Sequence, residues 1–149
     1  MKKARDSQRS RVYKAERAAW ENFDTPEFRT VAQCQEYVND VTYTRFWDER
    51  FTDGWYLDPE VRIEVSDGRG RRSAAAFCDE DRIALPKWAR NRLVILHELA
   101  HILVNGDRSL ASHGPEFVSM YLSLVREFEG KDEAQRLQEA FETHRVKIA

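Results

Sequence analysis

The stretch Leu93–Val104, LVILHELAHILV, constrains this chain more than any other. Read as a helix it is apolar on almost every side, through Leu93, Val94, Ile95, Leu96, Leu99, Ala100, Ile102, Leu103 and Val104. A helix of that kind must be covered all round by protein or lipid. It is well short of the roughly 20 apolar residues that span a bilayer. A buried core helix is therefore expected over about 87–105, ended by the Asn105-Gly106 pair. With 149 residues the chain can supply one core and one domain around it.

Three ionisable side chains interrupt that helix, in the order His97-Glu98-Leu99-Ala100-His101. At about 100° per residue, His97 and His101 lie one turn apart and about 40° from each other, so both imidazoles address the same space. Glu98 is turned about 100° from His97, close enough to reach a water held there and angled away from direct ligation. Burying such groups unpaired costs several kcal/mol, roughly, and a divalent cation would offset it. The plain alternative is a pair of neutral core histidines bonded to carbonyls, with Glu98 at the core's edge. The spacing, the apolar flanks and a further downstream histidine favour the metal reading.

A catalytic zinc site commonly has three protein ligands and one open position. His113 is the expected third. If the helix ends near Asn105, the residues that remain can reach about 25 Å when extended, while packed helices are only about 10 Å apart. In SHGPEF, Gly114 allows close approach, Pro115 can open a helix, and Phe117 begins an apolar stripe with Met120, Tyr121, Leu124 and Phe128. That spacing makes Met120 a packing residue. Glu116 is the rival ligand, although its place in a first helical turn is equally explained by the helix dipole. Imidazole is the preferred partner for a borderline metal.

Around this centre the pattern predicts helices, a small sheet, then helices. A helix is expected over about Ser7 to Trp20, on a stripe of Val12, Ala15, Ala19 and Trp20. A second is expected to start with Thr25 as cap and Pro26 at its first position. A short helix then ends at a turn at Asp53-Gly54. From Glu60 the period becomes two, with Val61, Ile63 and Val65 inward, and SDGRGRR turns the chain into SAAAFC as a hairpin. After a turn at DEDR, IALP forms a third strand stopped by Pro86. The expectation is an α+β domain with a helical part over about 5–50, a three-stranded, mainly antiparallel sheet over about 60–86, and C-terminal helices over about 114–145.

Composition adds exclusions. The net charge is −2 with 34% charged residues, so the overall balance names neither nucleic acid nor another polyanion as partner. Arg69, Arg71 and Arg72 read as a solvated hairpin tip, and the basic start KKARDSQRSRVYK as a solvated helix. Cys34 and Cys78 show no metal or redox spacing, and the charged N-terminus lacks an apolar run, so a soluble cytoplasmic protein with reduced thiols and no membrane partner is expected. The tryptophans Trp20, Trp47, Trp55 and Trp88 read as core or groove walls, and His144 as a surface residue.

LVILHELAH followed by HGPEF resembles the zincin metallopeptidases, in particular the SprT/Spartan-like arrangement in which HExxH is followed by a histidine in an HGxxF-like segment. Over nearly its whole length, through SQRSRVYKAE, TVAQCQEYVNDV, IALPKWARNRLVILHELAHIL and SHGPEFVSMYLSLV, the chain also resembles a small family of metallohydrolases from actinobacteria and their bacteriophages. The resemblance implies a minimal zincin-like fold, Zn2+ held by His97, His101 and His113, and Glu98 as general base in hydrolysis of a peptide or amide bond. It implies a peptide or protein substrate aligned along an edge strand, either IALP or AAAFC. Tyr121, Arg92 and His144 are the available types for stabilising a tetrahedral intermediate. The chain lacks a cysteine-rich ribbon, so a DNA–protein crosslink protease is not expected, and Val104 and Asp107 stand where metzincins carry glycine and histidine. The alternative is a non-catalytic binding or adaptor protein on the same scaffold.

Overall fold

A computed structural model describes residues 4–54, 62–68, 77–78, 81–104, 107 and 109–149. Six α-helices are present among them: α1 (Arg9–Ala19), α2 (Val31–Thr42), α3 (Arg45–Gly54), α4 (Arg92–Val104), α5 (Pro115–Glu129) and α6 (Lys131–Thr143). Three short strands, β1 (Glu64–Ser66), β2 (Phe77–Cys78) and β3 (Arg82–Ala84), lie between α3 and α4. The protein is thus mixed α+β with helix dominant. The hairpin tip with its three arginines, residues 73–76, the DEDR turn at 79–80, Asn105-Gly106, Trp55 and the side chain of Cys78 lie outside the described residues.

Helix α4 sits at the centre, every residue from Val94 to Leu103 being buried. It packs against α5, which packs against α6, and α1 closes over α6. Phe117, Tyr121 and Leu124 turn the inner face of α5 into the core, and Leu137 and Phe141 do so for α6. Pro115 occupies the first turn of α5, as its preset φ favours.

Four expectations are corrected. The second helix does not begin at Pro26. The backbone N–H groups of Glu27 and Phe28 instead donate to Arg90 O at 2.8 and 2.9 Å. The helix starts after Thr30, where a capping box with Gln33 satisfies both ends of the exchange. Nor is 87–105 one helix: Lys87–Ala89 is a single 3₁₀ turn, Arg90 leaves helical geometry, and buried Asn91 caps α4 by accepting from Val94 N–H at 2.9 Å. The Asn91 side chain also donates to Phe23 O and Thr25 O, tying the break to the chain ahead of α2. At Asp53-Gly54 the backbone is still helical.

The fourth correction concerns the sheet. Its order is β1-β3-β2, with β1 parallel to β3 and only the short β2–β3 ladder antiparallel, so the expected β1–β2 hairpin and the mainly antiparallel three-stranded sheet do not describe it. Gln35 of α2 explains why. Its side-chain amide donates to Ile63 O at 2.9 Å and its carbonyl accepts from Val65 N–H at 2.8 Å, mimicking a neighbouring strand. Bonds to Gln35 on one side and to β3 on the other satisfy the β1 backbone, so β2 has no place beside it.

Candidate metal centre

His97 and His101 project from α4 as their spacing requires, and His113 arrives from the turn that precedes α5. All three are buried, and one ring nitrogen from each lies within 4.8 Å of the other two. His97 Nε2 and His101 Nε2 are 3.2 Å apart. Two imidazoles on one tetrahedral ion, with bonds of about 2.0–2.1 Å, hold their nitrogens roughly 3.3 Å apart. Beneath them Phe117 stacks on His101 with ring centroids 4.2 Å apart and also meets His97 edge-on. The rival Glu116 is exposed on the outer face of α5, and no metal-ligand cluster among the described residues includes it.

The outward nitrogens of two of these rings are held by carboxylates. His97 Nδ1 is 2.7 Å from Glu16 Oε2, and Glu16, on the inner face of α1, is fully buried. The same oxygen accepts from the Tyr121 hydroxyl at 2.7 Å. His113 Nδ1 is 3.0 Å from Asp6 Oδ2, and His113 N–H donates to Asp6 Oδ1 at 3.2 Å. A carboxylate beside Nδ1 requires a proton there, which turns the lone pair of Nε2 inward. His113 Nε2 is left buried without a hydrogen-bond partner among the described residues. Such an atom is costly unless something outside the chain meets it. Three converging imidazoles, two of them fixed by carboxylates with Nε2 turned inward, fit a divalent ion of the zinc type.

The electrostatics follow. Burial pulls the pKa of His97 down, but the charge and hydrogen bond of Glu16, with help from Glu98, outweigh it and leave His97 above the ordinary imidazole value. For His113, burial and then the charge of His97 prevail over Asp6, and its pKa is lowered. The Tyr121 phenol is pushed far up, by burial first and then by Glu16, and so remains a donor.

Glu98 is also buried, and with His97 it borders a cavity of about 210 Å³. Of the three donor types that sequence left open, Tyr121 is committed to Glu16 and Arg92 to Glu27 and Glu129, while His144 caps the end of α6. Glu16, Asp6 and Tyr13, whose ring stacks on His97 at 5.5 Å, were not anticipated. Glu16 left a trace, as the single acid on the Val12, Ala15, Trp20 face of α1. Asp6 left none, since it acts from the segment ahead of that helix.

Comparison of the chain with protein-family models, curated proteins and solved structures finds no match. No helix among the described residues is long and apolar enough to cross a membrane.

Proposed function

We propose that this protein is a zinc-dependent hydrolase on a minimal zincin-like scaffold, acting on a peptide or amide bond. The observation that carries the reading is the inward convergence of three buried imidazoles, with carboxylates behind His97 and His113 and an unpartnered Nε2 on His113. His97, His101 and His113 hold the ion, and the resemblance of HELAH and HGPEF to zincins supports the same assignment. A bound zinc ion supplies Lewis acidity, lowering the pKa of water and polarising a carbonyl.

The chain's own residues do the rest. Glu98 follows His97 in sequence and lines the same cavity, which supports a role in taking a proton from the attacking water and returning it to the leaving amine. Glu16 and Asp6 keep two ligand rings in one tautomer and one orientation. Because β3 is the central strand, IALP does not offer a free edge, and β2, which packs beside α4, is the strand left to align an extended substrate.

Elemental mass spectrometry on purified protein tests this. About one zinc per chain is expected in the wild type and in Glu116→Ala, with loss or strong weakening in His113→Ala. Glu98→Gln is expected to keep its zinc and lose roughly 10²–10⁴ of any hydrolytic rate. Wild-type protein that holds no metal and takes up none from solution would overturn the reading.

A further inference from the structure

The cavity beside His97 and Glu98 has walls of two different kinds. One is a stripe on α1, Arg9, Tyr13 and Arg17, set four residues apart so that all three face the same way. The other is apolar, formed by Phe23, Trp88 and Val94. Tyr13 anchors the first wall to the metal centre, its ring nearly parallel to that of His97 at 5.5 Å and tilted against His113 at 5.4 Å. The guanidinium groups of Arg9 and Arg17 lie 5.9 and 5.8 Å from the Tyr13 ring centre, so both charges stand at the mouth. Arg17 is engaged by Asp24, through contacts of 2.8 and 3.2 Å. Arg9, exposed in the first turn of α1 and hydrogen-bonded to Tyr13, holds the other guanidinium at the mouth.

At about 210 Å³ the cavity has room for one side chain and excludes anything folded. A cationic fork opposite an aromatic wall suits a planar anion carried on an apolar stem. From this we infer that the cavity is a substrate subsite selective for a carboxylate within one residue of the scissile amide, with Arg9 as its specificity-determining residue. The inference rests on the hydrolase reading above and names the substrate class for it. The carboxylate can be an Asp or Glu side chain or the free C-terminus of a peptide, since both present the same chemistry to Arg9.

Three hydroxamates on one phenylalanine scaffold test the assignment by calorimetry on zinc-loaded protein. One carries a terminal carboxylate, one a glutamate side chain with its terminus amidated, and one is neutral. At least one carboxylate form is expected to bind about tenfold tighter than the neutral form at low salt, the advantage shrinking at high salt. Which form wins decides between side chain and terminus. Arg9→Glu should abolish or reverse the preference. Because that change places an acid at a helix N-terminus, it should not harm folding. Lys14→Glu, an equal charge change at an exposed position of the same helix, should leave the preference intact. Equal affinity for all three probes, no binding by a zinc-loaded protein, or a preference untouched by Arg9→Glu would each overturn the subsite. Neutral-hydroxamate binding with no carboxylate preference would do so while sustaining the metal centre. A chain that takes up no zinc overturns the hydrolase reading and the subsite with it.

Discussion

The two carboxylate–histidine pairs use one device in two settings. Glu16 holds His97 from inside a packed helix, fully buried and shared with the Tyr121 hydroxyl. Asp6 holds His113 from the irregular segment ahead of α1, with 28% of its side chain exposed, and it grips both the ring and the backbone N–H. That segment is itself pinned by Ala4 N–H donating to Ser109 O at 2.9 Å. The difference separates two jobs. The buried pair is woven into the core, so it couples the His97 ring geometry to folding. The outer pair fastens a loop, so it sets the position of His113 with less effect on the rest of the fold.

Removing the buried carboxylate is the sharpest way to break this contrast. Glu16→Ala leaves His97 without its carboxylate and Tyr121 with only the longer bond to Leu93 O, and a loss of about 3–5 kcal/mol is expected in urea melts of the metal-free protein. Where that variant fails to fold, Glu16→Gln retains an acceptor. It should weaken zinc binding roughly 10–100-fold in a competitive chelator titration. Asp6→Ala comes next. Its expected cost is about 1–2 kcal/mol, since water can replace part of what is lost. Its effect on zinc affinity should be smaller than that of Glu16→Gln, and equal effects would erase the distinction between the sites. Tyr121→Phe, which removes one donor to Glu16 and keeps the ring in the core, should cost about 1 kcal/mol.

The smallest effect is in pH dependence, and there the two histidines have opposite signs. His97 has its pKa raised in the folded, metal-free chain. Its contribution is fully present below the unfolded value of about 6.5 and fades as pH rises through the folded value. His113 has its pKa lowered, so its contribution fades as pH falls from about 6.5 toward the folded value. The two partly cancel in metal-free wild type. In Glu16→Gln the main influence that raises His97 is gone and only Glu98 still opposes burial, so burial prevails and both histidines should disfavour acid. Melts at about pH 5.5 and 7.5, conditions roughly one unit below and above the ordinary imidazole value, should show the variant losing more stability on acidification than the wild type.

Helical spacing made much of the centre legible in advance. His97 and His101 share a face because four residues nearly complete one turn, and the apolar sequence around them places that face inside whatever else packs there. Pro115 marked the start of α5 for a local reason, the fit of its fixed φ to a first turn. The start of α2 was misplaced because Pro26 and Thr30 both carry initiation signals, and only the bonds from Glu27 and Phe28 to Arg90 choose between them. The sheet was misjudged because period-two alternation reports which face of a strand is buried and is silent about its neighbour. Gln35, remote in sequence, decides that.

By itself the sequence determined a buried helix carrying two histidines and a glutamate, a third histidine within reach, and a helix to press it home. These depend on spacing along one element and on local backbone preference. Tertiary structure alone decided which side chains stand behind the histidines and which line the mouth: Glu16, Asp6, Tyr13 and Arg9. Glu16 and Asp6 lie 81 and 107 positions from the histidines they hold, and no local propensity spans that distance. Only the packing of α1 and its leading segment across the core brings them to the site.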